Sequence, residues 1–255
     1  MKKTKTARRG ARQKAAKHTL VLKPAQKPPA HVISKTSTPR GPLAPDRVAA
    51  ILRALDEAYP NAECALNHRT PWELLVATIL SAQCTDVRVN MVTPELFRRF
   101  PSPAAMAKAT LPELETLIRT TGFFRNKAKS IRGAARTIIA DFNGQVPQTL
   151  AELITLPGAA RKTANVVLGV SYGKAEGVVV DTHVFRIARR LELAKGDTAE
   201  KVEQELMQVI PRDRWISFSH QIIHHGRQVC IARNPKCNQC NLEPLCRSKD
   251  KTWSS

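Results

Sequence analysis

The sequence predicts an all-α protein, and three observations predict it. From residue 46 onward, apolar residues recur at helical spacing in one segment after another. Capping residues, prolines or glycines bound each run. The only strand-like stretch, Val178–Val180, is too short to build a sheet.

Taken in order, Val48, Ile51, Leu52 and Leu55 share one face of a first helix, which Tyr59-Pro60 ends. Thr70-Pro71-Trp72-Glu73 is a capping-box signal with proline at the first helical position, ahead of Leu74, Leu75, Ile79 and Leu80. A break at Ser81–Thr85 precedes a helix bearing Val89, Val92 and Leu96, which stops near Pro101. Thr110-Leu111-Pro112-Glu113 repeats the capping signal, and Gly122 closes that helix. Ala128, Ile131, Ala135, Ile138 and Ile139 make the next, ended by Asn143-Gly144. Leu150, Leu153 and Ile154 lie on a short helix that Pro157-Gly158 cannot continue. Arg161-Lys162-Thr163-Ala164 opens another, with Val166, Val167 and Val170 on one face. After the extended run, Asp181-Thr182-His183 heads a further helix. Asp197-Thr198-Ala199-Glu200 caps a helix bearing Val202, Leu206 and Val209, stopped by Pro211. A last helix around Trp215–Val229 runs into a group of cysteines.

Composition narrows the partner. Lys and Arg number 41 against 21 Asp and Glu, a net charge of +20, which points to a polyanion. Residues 1–44 carry twelve of those positive charges, five prolines and no acid. They read as a disordered basic arm that adds salt-sensitive, sequence-blind affinity for DNA. An acid-free basic start also resembles an organelle transit peptide. No apolar run is long enough to span a membrane, and no apolar leader is present. The expected setting is therefore a reducing one: the cytoplasm, on the nucleoid, or an organelle or nucleus if the arm is a targeting segment. Six cysteines there read as ligands or thiols rather than disulfides, with Cys64 and Cys84 as small core or pocket residues.

Two clusters carry chemistry. The start of the Arg161 helix has unpaired N–H groups and the positive end of the helix dipole, which suits a phosphate held by Gly158, Ala160 and Arg161. An ammonium near that end loses part of its preference for the charged form, so Lys162 is a candidate nucleophile. The turn, helix and extended run then deliver Asp181 as its carboxylate partner. At the end of the chain, Cys230-x6-Cys237-x2-Cys240-x5-Cys246 gathers four soft ligands for zinc or an iron–sulfur cluster. A zinc ribbon usually presents two Cys-x-x-Cys knuckles, and only one is present. Arg233 and Lys236, between the first two cysteines, are placed to meet phosphates.

Leu156-Pro157-Gly158 followed by Arg161-Lys162-Thr163-Ala164-Asn165-Val166-Val167, and then Val180-Asp181-Thr182-His183-Val184-Phe185-Arg186, resembles the helix-hairpin-helix motif and trailing aspartate of the endonuclease III family of DNA glycosylases. The likeness runs from about Pro45 to Arg247. It implies two helical lobes, one from residues 65–175 and one from 45–64 with 176–250, with DNA in the groove between them. It implies that Lys162 attacks the sugar C1′ of a damaged nucleotide, assisted by Asp181, and then cleaves the strand as a lyase. The cysteine spacing resembles the family's 4Fe–4S loop, in a structural rather than redox role. Gln83, in Ser81-Ala82-Gln83-Cys84-Thr85-Asp86, matches the glutamine that fills the vacated space in the duplex. Phe123 matches a second wedge, or is a core anchor. Asp86 and His183 line the pocket for the extruded base, or serve their helix starts. The implied partner is double-stranded DNA with damaged pyrimidines or abasic sites, bound by a monomer.

Two departures predict reduced activity. The family hairpin reads Pro-Gly-x-Gly, and Ala160 stands at the second glycine; a positive φ there would cost about 1 kcal/mol or more. Phe123-Phe124 replaces an expected Leu-Tyr pair. Three other readings compete. A mismatch adenine glycosylase of the same fold lacks the lysine and has a further C-terminal domain. A non-catalytic DNA-structure binder would keep the fold without the chemistry. A ferredoxin-like carrier is at odds with the positive charge.

Overall fold

The computed structural model describes residues 41–253, so all but the last four residues of the basic arm lie outside it. Among the described residues are eleven α-helices with short 3-10 turns and no strand. None of these helices is long and apolar enough to cross a membrane.

The helices start where capping chemistry requires. For α2 (Pro71–Leu80), the Thr70 hydroxyl accepts from the Glu73 N–H. Thr110 and Glu113 complete a reciprocal capping box on α5 (Leu111–Ile118). The Thr149 and Thr198 hydroxyls cap α7 (Leu150–Leu153) and α10 (Ala199–Val209) by accepting the Glu152 and Lys201 N–H groups, without the reciprocal bond. One helix was not expected: α4 (Pro103–Lys108) fills the interval between Pro101 and Thr110. Its signal is Ser102-Pro103, a hydroxyl cap followed by a proline whose missing N–H costs nothing at the first position. Gly122 does not end α5 directly. A 3-10 turn, Arg119–Thr121, follows, and Gly122 (φ 71°) then reverses the chain. Val178–Val180 is extended but pairs with no strand; the Val179 N–H donates instead to the Ser219 hydroxyl at 3.1 Å.

Buried apolar side chains fall into two clusters. The first joins α2 to α3 (Asp86–Arg99), α4, α5, α6 (Phe124–Asp141), α7 and α8 (Arg161–Tyr172). α2 is its centre, because eight of its ten residues are buried. The second joins α1 (Pro45–Ala58) to Val178, Val180, α9 (Thr182–Arg190), α10 and α11 (Trp215–Gln228).

Arg47 closes the second cluster. It is 1 % exposed and donates to the carbonyls of Pro42, Leu191 (2.7 Å) and Leu245 (2.6 Å). One guanidinium thus ties the chain before α1, the end of α9 and the last cysteine loop. Its removal leaves buried acceptors unsatisfied, at about 1–3 kcal/mol each. Arg47→Met is expected to lower unfolding free energy by about 3 kcal/mol, read as a lower denaturant midpoint at unchanged slope.

Candidate active site

The turn between α7 and α8 is shaped by one glycine. Gly158 has φ +83°, and a Cβ there would lie 2.7 Å from Ser130 Cβ and 3.3 Å from an Ile79 methyl. Only glycine meets both conditions. Ala160 is different. It has φ −71° and ψ 168°, ordinary extended backbone, so the expected strain from losing a second glycine is absent. Ala160 is also the N-cap of α8 and makes no side-chain cap bond, so a phosphate meets no competing side-chain oxygen there.

On the first turn of α8, neighbouring residues point to different environments. Arg161 Nε reaches both Glu203 oxygens on α10, at 3.0 and 3.1 Å, so this guanidinium is paired rather than free for DNA. Asn165 Nδ2, one turn later, donates to the same Glu203 at 2.9 Å. Glu203 is 5 % exposed, and Gly177 lies hard against it with no room for a Cβ. The pair fixes the start of α8 beside the segment that leads to Asp181. Lys162 is exposed and in no ion pair or hydrogen bond among the described residues.

Asp181 is the N-cap of α9. Its Oδ1 accepts from the His183 and Val184 N–H groups, both at 2.8 Å. No hydrogen bond among the described residues occupies Oδ2. His183 Nδ1 accepts from Arg186 Nη2 at 3.2 Å, which puts any proton of the neutral ring on Nε2. Burial pulls the His183 pKa down, while Asp181 pulls it up and Arg186 and Arg227 add to the fall. Asp86 is the first residue of α3, behind its Thr85 cap, and it pairs with Arg227 at 2.5 Å. Arg227 thus lies within electrostatic reach of both Asp86 and His183, joining α3, α9 and α11.

Gln83 and Phe123 are both exposed and both left-handed, with φ of 53° and 47°. Phe123 is 64 % exposed, so it is not a core anchor. The two residues line one hollow with Ile79, Asn126, Lys127 and Gly158.

The four C-terminal cysteines line one shared cavity, together with Arg190, Val229 and Pro235. Among the described residues, no three His, Cys, Asp or Glu side chains close on a single ion. Three sulfurs meet hydrogen-bonding nitrogens: Cys230 meets Arg190 Nη1 (3.2 Å), Cys240 meets His225 Nε2 (3.4 Å), and Cys237 meets the Thr252 N–H (3.4 Å). Tyr59 Oη lies 3.0 Å from His225 Nδ1, so one ring nitrogen bonds the hydroxyl and the other meets the Cys240 sulfur. Burial pushes the Cys240 thiol up to about 12 and raises that of Cys246. Arg233 and Lys236 are exposed on this loop and in no ion pair among the described residues. Sequence reasoning did not find Glu203, Arg227, Lys127, Arg190 or His225. Each is an ordinary helix residue until its distant partner is known.

An all-helical fold with a glycine turn opening onto a basic, uncapped helix defines a helix-hairpin-helix protein. The family model described as HhH-GPD superfamily base excision DNA repair protein matches residues 76–212. Endonuclease III of Synechocystis sp. (strain PCC 6803) is 55% identical over 202 residues, which cover 79% of this chain and 92% of that protein. Endonuclease III of Escherichia coli K12 is 42% identical over 201 residues, 79% of this chain and 95% of that one. A solved endonuclease III trapped as a covalent intermediate with DNA superposes with a TM-score of 0.76 at 42% identity, covering 80% of this chain and 95% of that one. The chain belongs to the endonuclease III family.

Burial also sets a pH dependence. It pulls the His225 pKa from 6.5 down to about 4. Between those values the unfolded chain takes up a proton that the folded one refuses. Stability is therefore fully present above pH 6.5 and falls as pH drops toward 4. Thermal midpoints of the cluster-free protein are expected to fall across this window, and His225→Asn is expected to flatten the slope.

Proposed function

We propose that the chain is a bifunctional DNA glycosylase and abasic-site lyase of base-excision repair, acting on oxidised pyrimidines in double-stranded DNA. The observation that carries this reading is Lys162: an exposed, unpaired amine on the first turn of an uncapped helix, braced by the Arg161–Glu203 pair. The two apolar clusters are the two lobes, residues 65–175 and 45–64 with 176–250, and the duplex runs between them. Amides from Gly158 to Arg161 take a phosphate, with Arg233 and Lys236 on a second one. Gln83 and Phe123 fill the space left by the extruded nucleotide, and Asp86 and His183 border its pocket.

The chemistry follows from what each group has free. The Lys162 amine, in its neutral form, bonds to C1′ as the bond from C1′ to the base breaks, and the base leaves as it takes a proton from water. Asp181 holds its helix start through Oδ1 and keeps Oδ2 to offset positive charge on the sugar and accept the proton that the amine sheds. Opening of the sugar ring gives a Schiff base. A 2′-proton is then lost and the C3′–O bond breaks, releasing the phosphate. Cys230, Cys237, Cys240 and Cys246 suit a 4Fe–4S cluster: they are soft donors around one shared cavity, and three meet nitrogens that can donate to charged sulfur. When bound, such a cluster would hold the four sulfurs as thiolates, offsetting the cost that burial puts on their charge, and would fix the loop bearing Arg233 and Lys236. The enzyme works in the cytoplasm, on nucleoid DNA.

Borohydride reduction with an abasic duplex is expected to trap a covalent adduct with the wild type and none with Lys162→Ala. A wild-type protein that binds the duplex without an adduct sinks the lyase reading. Asp181→Asn retains a good N-cap, so its thermal midpoint should stay near wild type while base excision falls by roughly 10²–10⁴. An equal loss of stability and activity would show that the carboxylate is only a cap.

A further inference from the structure

Lys127 is the one buried lysine among the described residues, at 5 % exposure. Its ammonium is anchored on two backbone carbonyls far apart in the chain: Leu80 O at 2.8 Å and Thr121 O at 2.7 Å. Leu80 is the last residue of α2, and Thr121 is the last of the 3-10 turn after α5. Three residues past Leu80 comes Gln83, and two past Thr121 comes Phe123. Both are left-handed non-glycine residues, at φ 53° and 47°, a conformation that persists only where the surroundings impose it. Both are exposed, and both line one hollow, whose wall includes Lys127 itself.

We infer that Lys127 is a positioning residue that sets the spacing between Gln83 and Phe123. It does so by bonding, from one ammonium, the two carbonyls at which their loops begin. The inference rests on the glycosylase reading, in which these two side chains enter the duplex. An ammonium can point donors at both carbonyls at once. A hydrophobic side chain of the same length fills the space without joining them. The two loops have no covalent link nearer than the length of chain between them, so the shared ion fixes their separation. Base extrusion depends on that separation, because both side chains must fill one gap. Cleavage at a sugar that has no opposite strand does not depend on it.

The test compares two substrates with purified, cluster-loaded protein: a duplex carrying an oxidised pyrimidine, and a single-stranded oligonucleotide carrying an abasic site. Lys127→Met is expected to lower kcat/KM on the duplex at least tenfold and to change strand cleavage of the single strand less than twofold. The same substitution in a Gln83→Ala, Phe123→Ala background should cost little further on the duplex. Equal losses on both substrates, or no loss on either, overturn the inference. Should Lys127→Met fail to fold, Lys127→Arg decides. Its longer fork keeps the charge but moves the two carbonyls, so the duplex-selective loss should persist, and its absence overturns the inference. A wild type inert on both substrates removes the glycosylase reading and this inference with it. An active wild type with an unselective variant removes this inference alone.

Discussion

Glu203 is a carboxylate in a nearly dry place, and the proposed reactive end of the molecule depends on what holds it. Two partners do so, Arg161 by its charge and Asn165 by an amide hydrogen bond, both on one side of α8. Leaving such a group unpaired costs several kcal/mol, so the start of α8 cannot drift from α10. Because successive helix residues are about 100° apart, anchoring Arg161 turns Lys162 elsewhere, toward solvent. The same carboxylate presses on Gly177, where the chain has no side chain and leads directly to Asp181. One buried charge therefore sets both the amine and the carboxylate.

Similar devices recur. Arg47 gathers three carbonyls, Lys127 two, and Arg186 and Arg190 carry α9 onto the carbonyls of Cys230 and Ile231. For Arg47, Lys127 and Arg186 the cation is buried beside backbone acceptors rather than beside an acid, whereas Arg190 also pairs with Asp250 at 2.6 Å. Such an ion keeps its charge while it fastens chain segments that share no hydrophobic pattern. The price in desolvation appears as lowered pKa values for Arg47, Lys127 and Arg186. The arrangement also leaves many surface cations of this basic chain free to face a polyanion.

Much of the helical layout was legible because it is local. Thr110 and Glu113, Thr198 and the Pro157-Gly158 break act on residues three or four away, and the sequence displays them together. The Gly158 turn, the Asp181 cap and the close-spaced cysteines are readable for the same reason. The short α4 was missed because six residues give too few turns for an apolar period, although Ser102-Pro103 marked its start. The fear about Ala160 came from a motif, and the backbone there does not need the freedom that glycine gives. Arg161 looked like a phosphate ligand because Glu203 lies 42 residues away. No local pattern could pair them, nor could one join Asp86 to Arg227 across 141 residues.

The two apolar clusters differ in how their parts lie along the chain. The first runs from Leu66 to Leu168 without interruption, whereas the second combines α1 with segments that begin at Val178. During vectorial synthesis the first can complete itself while the ribosome is still working. Val48, Ile51, Leu52 and Leu55 emerge earliest, yet they wait for more than a hundred further residues before anything covers them. Arg47 locks that helix only when Leu245 arrives, at the far end of translation. The nascent protein therefore carries an uncovered greasy stripe for most of its birth, the sort of surface that chaperones hold.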